Sequence, residues 1–384
     1  MRIVYLLSSL GVGGAEKQAL AVAERMARRG HTVALVVLMP WLHEEWPTAI
    51  PTLHLDVRKT PASVLRGFIR GRAFLREFRP DLVHSHSFHA NIFARLLRMA
   101  GPPFVVLSTV HNVYEGGLWR MVAYRLTDRL SRRTVAVSEA AAERFTRLKA
   151  VPLHKCSVIL NGIDLNDTDV DGLIPDCNRR AHMRAEMGIS TENAEFVWLA
   201  VGRLAPAKDY PNLLRAFAAV RTHTPQTQLW VAGDARGGER TPLEALAKEL
   251  QIDGAVHWLG LRRDMPALLD AADGFVLGSA WEGMPLAVGE AMAMAKPVVA
   301  TDVGGVRELV GDAGVVVPAK DSQALAEAML ATMQESREEL AARSRAARER
   351  VSRQFNMDAT ADMWLSLYES QLTAVPQSRS PSVP

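Results

Sequence analysis

The chain has 384 residues, 48% of them hydrophobic and 23% charged, with a formal net charge of +3. That is the composition of a soluble globular protein long enough for two cores, and no uninterrupted apolar run approaches the ~20 residues of a membrane-spanning helix. The balance conceals an asymmetry: residues 1–150 hold 22 Lys and Arg against 11 Asp and Glu, the remainder 23 against 31, so the front half suits an anionic membrane surface, nucleic acid or an anionic substrate.

In chain order, RIVYLL at 2–7 predicts a buried strand. It runs straight into a glycine loop rather than the small-residue cleavage site of a secretory signal. An amphipathic helix follows over about 15–29, then a strand, HTVALVVL, at 31–38. DLVHSH at 81–86, FVVLSTV at 104–110, TVAV at 134–137 and SVIL at 157–160 read as further strands with helices between them. This alternation predicts a parallel, doubly wound α/β sheet. A polar, Asp-rich stretch containing NDTDVDGLIPDCNRR reads as a linker over 166–194. The alternation then restarts with strands at 195–201, 228–233, 255–260, 273–279, 296–301 and 314–318.

Residues 1–165 and 195–356 are therefore expected to be two facing Rossmann-like domains with parallel sheets. Ligands should bind in the cleft between them, outside the carboxyl ends of the strands. A helix over about 357–373 is expected to pack back on the first domain, and 374–384 has the composition of a disordered tail. Cys156 and Cys177 stand in neither a metal nor a redox spacing, which suggests a reducing, cytoplasmic compartment.

Four stretches carry chemistry. SSLGVGGAE follows the first strand, but Glu16 stands where a dinucleotide fingerprint needs its third glycine, so a nicotinamide cofactor fits poorly. The loop is either a tight strand–helix turn or a place where Gly13 and Gly14 let an anion approach the helix N-terminus. In WEGMPLAVGEAM, at 281–292, two acids flank a Gly-Met-Pro turn at the end of a strand. Pro285 suits the first helical position. The N–H groups of Met284, Leu286 and Ala287 then lack intrahelical partners and can meet a phosphate or a hydroxyl. Glu290, one to two turns into the helix, can accept from a diol. Two acids and a donor-rich turn fit a nucleotide-sugar.

Arg203 and Lys208, in GRLAPAK after the strand at 195–201, supply the positive charge that a departing pyrophosphate needs. Arg203 taken alone reads more readily as a surface salt bridge. His84, His86 and His89 have a spacing that zinc could use, but no acid or cysteine follows closely, so no metal is expected and His86 and His89 are placed on the acceptor side. Nucleic acid is disfavoured because the basic half lacks interleaved aromatics. The segments 66–79 and 120–133 put arginines beside Phe, Leu, Met or Tyr at helical spacing. Either is an ordinary amphipathic helix or a surface for anionic lipid. In the first, Phe68, Ile69, Leu75 and Phe78 are expected to face inward and Arg66, Arg70 and Arg76 outward.

Taken together, GGAE at 13–16, HSHSFHAN at 84–91, HN at 111–112, NGID at 161–164, GRLAPAK at 202–208 and Glu282-x7-Glu290 resemble, in order, the retaining GT-B glycosyltransferases of family 4. The likeness is to members that build bacterial surface polysaccharide, and it spans nearly the whole chain. It implies a GT-B fold and metal-independent, retaining transfer of a hexose or N-acetylhexosamine, without a cofactor. The implied donor is a nucleotide-diphospho-sugar, a UDP-sugar by resemblance, and the acceptor a saccharide or a lipid-linked saccharide, with peripheral contact to an anionic membrane. It implies that Arg203 and Lys208 clamp the diphosphate and that Glu290 binds ribose. Glu282 would lie near the donor sugar's hydroxyls, the turn at Leu261 would read the base, and Gly283, Met284, Pro285, Leu286 and Ala287 would line the donor. His111 resembles an active-site histidine beside the transferred sugar, though alone it reads as a satisfied loop histidine. A nucleotide-sugar epimerase and a non-catalytic nucleotide-sugar-binding subunit are the competing expectations.

Overall fold

The computed structural model describes residues 1–11, 13–40, 47–165, 177–186, 196–235 and 239–373. The expected tail at 374–384, and the expected linker apart from 177–186, lie outside the described residues. The chain divides into two compact units, one of Met1–Gly162 with the stretch from Met357 onward, the other Ile163–Asn356.

In the first unit, β1 (Arg2–Leu7), β2 (Thr32–Val37), β3 (Thr52–His54), β4 (Leu82–His86), β5 (Val105–Val110), β6 (Arg133–Ala136) and β7 (Cys156–Val158) form one parallel sheet. The strand order is β3-β2-β1-β4-β5-β6-β7. Helices α1 (Gly14–Arg28), α2 (Pro61–Phe78), α3 (Ser87–Ala100), α4 (Leu118–Thr127) and α5 (Glu139–Arg147) connect the strands. The inner strands are buried on both faces, as their Val-, Ile- and Leu-rich sequences require. β3 has no counterpart in the sequence reading, because three half-buried residues at a sheet edge leave no apolar pattern.

The second unit starts with α6 (Cys177–Glu186), inside the stretch read as linker. It then builds a six-stranded parallel sheet from β8 (Val197–Val201), β9 (Gln228–Ala232), β10 (Val256–Gly260), β11 (Gly274–Leu277), β12 (Val298–Thr301) and β13 (Val315–Val317). Their order is β10-β9-β8-β11-β12-β13. Helices α7 (Tyr210–His223), α8 (Arg240–Glu249), α9 (Met265–Ala271), α10 (Leu286–Ala293), α11 (Val306–Val310), α12 (Ser322–Gln334) and α13 (Arg337–Gln354) cover it. Cations, rather than apolar contact alone, hold α6 in place. Arg180 and Arg184 both pair with Asp273, and Arg180, Arg184 and Lys296 donate to the carbonyls of Asp270, Ala271 and Ala272. These carbonyls end α9, where positive charge is favoured. Burial pushes the Lys296 ammonium down to about 8.

The last helix, α14 (Met357–Thr373), belongs to the first unit. Trp364 and Tyr368 are buried in the core beneath β1 and α1, burial worth roughly 2–3 kcal/mol for each large side chain. Asp358 and Asp362 pair with Arg25 and Arg29 of α1 at 2.5 and 2.6 Å. Among the described residues no helix is long and apolar enough to cross a membrane.

On α2 the expectation holds at Leu75, which is buried, and at Phe68 and Phe78, which pack against the core; it needs correction at Ile69. Gly67, Gly71 and Leu75 face inward, while Ile69 is 59% exposed beside the exposed Val64 and Leu65. Arg66, Arg70 and Arg76 are exposed, as expected, and two arginines of the helix also reach back to backbone carbonyls. Arg70 donates to the carbonyls of His54 and Leu55, and Arg72 to that of Ala100.

Candidate functional site

In each sheet the chain reverses its direction of travel across the strands at one point: between β1 and β4 in the first unit, and between β8 and β11 in the second. Carboxyl ends of strands flanking such a point leave a crevice, the usual ligand site of open α/β sheets. The motif residues cluster at these two places.

In the second unit, β8 leads to Gly202, Arg203 and a short turn ending at Lys208. β11 leads to Ser279 and Glu282. The two loops are tied together by Ala280 N–H on the carbonyl of Ala207 at 2.8 Å. Lys208 Nζ consequently reaches Glu282 Oε1 at 2.6 Å, and Ser279 Oγ donates to the same oxygen at 2.7 Å. Gly202 makes room for the lysine, since a Cβ there would come 2.6 Å from Lys208 Cε. Tyr210 OH donates to the carbonyl of Gly202 at 2.6 Å; burial first, and Glu282 second, push its pKa up. Arg203 is exposed, so Arg203 and a displaced Lys208 can both turn to an anion.

The Gly-Met-Pro turn is buried and rests on the loop after β12. Gly305 N–H donates to the carbonyl of Gly283 at 2.6 Å. Gly304 has φ 56°, and a Cβ there would fall 2.4 Å from the carbonyl oxygen of Glu282, so only glycine lets the two loops meet this closely. Pro285 is not the first helical residue. It caps α10 with φ −75° and ψ 112°, and Leu286 opens the helix. The Pro285 carbonyl accepts from Val288 N–H at 3.2 Å, which leaves the first N–H groups of α10, at Leu286 and Ala287, without intrahelical acceptors. Glu290 is partly buried one turn further on. Leu261, 40% exposed, follows Gly260 at the end of β10, an outer strand two places from β8.

In the first unit, Glu16 lies against the start of α1. Gly13 caps α1, Ser9 Oγ donates to Glu16 Oε1 at 3.0 Å, and a Cβ at Gly13 would lie 2.5 Å from Glu16 Oε2. Gly14 remains exposed at the helix start. β4 ends at His86, and Ser87, with a left-handed φ of 70°, turns the chain into α3 within one residue. Such a conformation in a residue with a side chain marks strain held by its surroundings. His86 Nδ1 lies 2.9 Å from Nε2 of His111, which follows β5. Both imidazoles are held neutral by burial: His86 is lowered well below the usual histidine value, and His111 to about 4. His89 is exposed on the first turn of α3, with its ring against Phe88. His84 is fully buried, with Nδ1 on Tyr368 OH and Nε2 on Thr109 Oγ1, both at 2.7 Å. Among the described residues no group of three or more His, Cys, Asp and Glu side chains is placed to hold a metal ion.

Residues that the sequence reading did not single out complete both places. Ser279, Tyr210 and Gly304 build the second unit's site. In the first, Glu115 Oε1 accepts from the His111 N–H at 3.1 Å and its Oε2 from Tyr124 OH at 2.7 Å. Burial pushes the Glu115 carboxyl up to about 7. Its place four residues after His111 was the available signal.

Two family models match the chain: one described as Glycosyltransferase Family 4 over residues 12–167, the other as Glycosyl transferases group 1 over residues 195–335. The chain is 30% identical to a D-inositol 3-phosphate glycosyltransferase of Saccharomonospora viridis over 400 aligned residues, 94% of this chain and 90% of that one. It is 29% identical over 242 residues to the UDP-Gal:alpha-D-GlcNAc-diphosphoundecaprenol alpha-1,3-galactosyltransferase of Escherichia coli, and this match spans only 60% of either chain. Among solved structures, sucrose-phosphate synthase from Thermosynechococcus elongatus superposes with a TM-score of 0.84 at 21% identity, covering 98% of this chain and 100% of that one.

Proposed function

The chain belongs to glycosyltransferase family 4 and has the GT-B fold, and from that premise we propose that it moves a hexose or N-acetylhexosamine, with retention, from a UDP-sugar to a saccharide or lipid-linked saccharide. The observation that carries the reading is the contact of Lys208 Nζ with Glu282 Oε1 at 2.6 Å, at the switch point of the second sheet. It unites a cation suited to diphosphate with an acid suited to sugar hydroxyls, from motifs that lie 74 residues apart.

When the bond between the anomeric carbon and the phosphate oxygen breaks, the electron pair leaves with the diphosphate. Arg203 and Lys208 offset that growing charge, and the free N–H groups opening α10 add a fixed positive end. Glu290 takes the ribose, Glu282 the donor sugar's hydroxyls, and Leu261 lies by the base. His111 meets the transferred sugar and His89 belongs to the acceptor side, whereas His86, expected there too, is buried behind His111. The E. coli relative, a UDP-Gal:alpha-D-GlcNAc-diphosphoundecaprenol galactosyltransferase, supports a UDP-sugar and a lipid-linked acceptor here.

An anionic membrane surface is the proposed workplace. The support is a set of apolar side chains standing in solvent among arginines: Leu65 and Ile69 on α2, and Leu118, Trp119, Val122 and Leu126 on α4. The last four lie along one stripe of α4 at spacings of one, three and four residues. Exposed apolar patches rimmed by charge mark interaction surfaces, and a helix of this kind lies in the interface rather than crossing it.

The test is a screen of nucleotide-sugars for thermal stabilisation, followed by transfer assays with the sugars that bind. A ligand at ~100 times its dissociation constant adds ~2.7 kcal/mol. Stabilisation by a UDP-sugar, with UDP released only when acceptor is present, supports the reading. Turnover without any acceptor would replace it with an epimerase, and binding without transfer to any acceptor with a non-catalytic subunit.

A further inference from the structure

The two nitrogens of His111 are not equivalent. Nε2 is engaged by Nδ1 of His86 at 2.9 Å, which leaves Nδ1 as the atom open to a ligand. His86 is itself immobilised. Its ring lies 4.1 Å from that of His84 and is stacked on Tyr5 at 6.0 Å, and His84 is fixed at both nitrogens by Tyr368 and Thr109. On the other side, Glu115 holds the backbone of His111, and Tyr124 and Asn91 extend that network into the core. The pair therefore has little freedom except in where its protons sit.

We propose that His86 is a positioning residue for glycosyl transfer, which sets the tautomer of His111 so that Nδ1–H of His111 is the donor offered to the sugar. The proposal rests on the reading that places His111 beside the transferred sugar. The direction of the proton follows from the far nitrogen of His86. Its Nε2 is buried and has no hydrogen-bond partner among the described residues. If that atom carried hydrogen, an N–H would be stranded in the interior, which folded proteins tolerate least. The bare lone pair is the milder defect, so the His86 proton sits on Nδ1 and is donated to Nε2 of His111. A neutral imidazole that accepts at one nitrogen carries its proton on the other. His111 then faces the sugar as a neutral donor, as burial of both rings requires.

Protein labelled with [15N]histidine reads the tautomer directly, through long-range proton–nitrogen correlations of the imidazoles at neutral pH. The wild type should show His111 protonated on Nδ1, with Nε2 shifted as a hydrogen-bond acceptor. His86→Phe keeps an aromatic ring in the stack and removes the donor, so His111 should drift toward the Nε2–H form. The turnover number should fall roughly 10- to 100-fold, as small losses of orientation do, with the donor KM little changed. His86→Asn returns an amide N–H near the lost Nδ1–H and should restore both tautomer and rate. An Nε2–H tautomer in the wild type overturns the proposal even if no variant folds. So does a His111 spectrum unmoved in His86→Phe, or a His86→Asn protein no faster than His86→Phe. His111→Ala keeps the two questions apart: full activity in that variant removes His111 from the reaction, whatever its tautomer.

Discussion

Replacing Lys208 by Met removes a charge and keeps most of the side chain's volume. In the structure its ammonium sits 2.6 Å from Glu282, and the two side chains retain 20% and 10% of their exposure. Breaking a buried pair by removing one partner costs ~3–5 kcal/mol, because the other charge is left uncompensated. The exposure that remains on the lysine puts this case at ~3 kcal/mol, the lower end of that range. Glu282 would keep only the Ser279 hydroxyl. For a unit of this size each kcal/mol moves the midpoint by ~2–4 °C, so its transition should fall by ~6–12 °C. Adding Glu282→Gln removes the stranded charge, and the double variant should recover much of the loss. Scanning calorimetry on wild type, both single variants and the double completes the cycle. Transfer should stay depressed ~100-fold or more in every variant without Lys208, since the leaving diphosphate has lost a stabilising charge. A Lys208→Met protein that melts within ~2 °C of wild type, or a double variant less stable than Lys208→Met, refutes the reasoning.

Three further outcomes are expected. Glu290→Ala should weaken UDP itself, while Glu282→Ala should leave UDP nearly intact and impair the whole donor; calorimetric titration giving equal affinities, or the reverse order, sinks the assignment. Glu115, raised to about 7 from an ordinary 4.5, contributes stability that is present below the ordinary value and lost as pH rises through about 7. Glu115→Gln should flatten the pH dependence of the first unit's melting between 4.5 and 7, and an unchanged slope would remove the carboxyl from that role. Vesicles of anionic but not neutral lipid should sediment the protein, with binding weakened by salt, by Arg66→Gln with Arg76→Gln, and by Trp119→Ser. Each basic group near such a surface is worth ~1 kcal/mol; equal binding to neutral vesicles would end the membrane reading and leave the transferase reading untouched.

Much of the fold was legible along the chain. Runs such as RIVYLL and FVVLSTV can only be strands buried on both faces, and their alternation with helices dictates parallel sheets whose carboxyl ends carry the motifs. The acids of WEGMPLAVGEAM and the cations of GRLAPAK were likewise legible as residue types suited to sugar and diphosphate. Local pattern fails where the deciding contact is distant. β8 and β11 lie side by side only because the chain doubles back across the sheet, and that is what brings Lys208 onto Glu282. Tyr368 closes a chain from Tyr5 to His84 across more than 280 residues.

The inward face of α2 was misread for a related reason. Leu75, Phe68 and Phe78 do reach the core, but Gly67 and Gly71 lie on the same inward face and Ile69 does not. A Cβ on Gly67 would sit 2.3 Å from Val57, so there the helix approaches too closely for a larger side chain, while Ile69 faces solvent. The tautomer of His111 is the furthest of all from the sequence. It depends on which neighbour reaches which nitrogen, and on one atom of His86 that has no partner among the described residues. Residue type sets what a group can do, but hydrogen-bond direction is decided by the tertiary contacts that surround it.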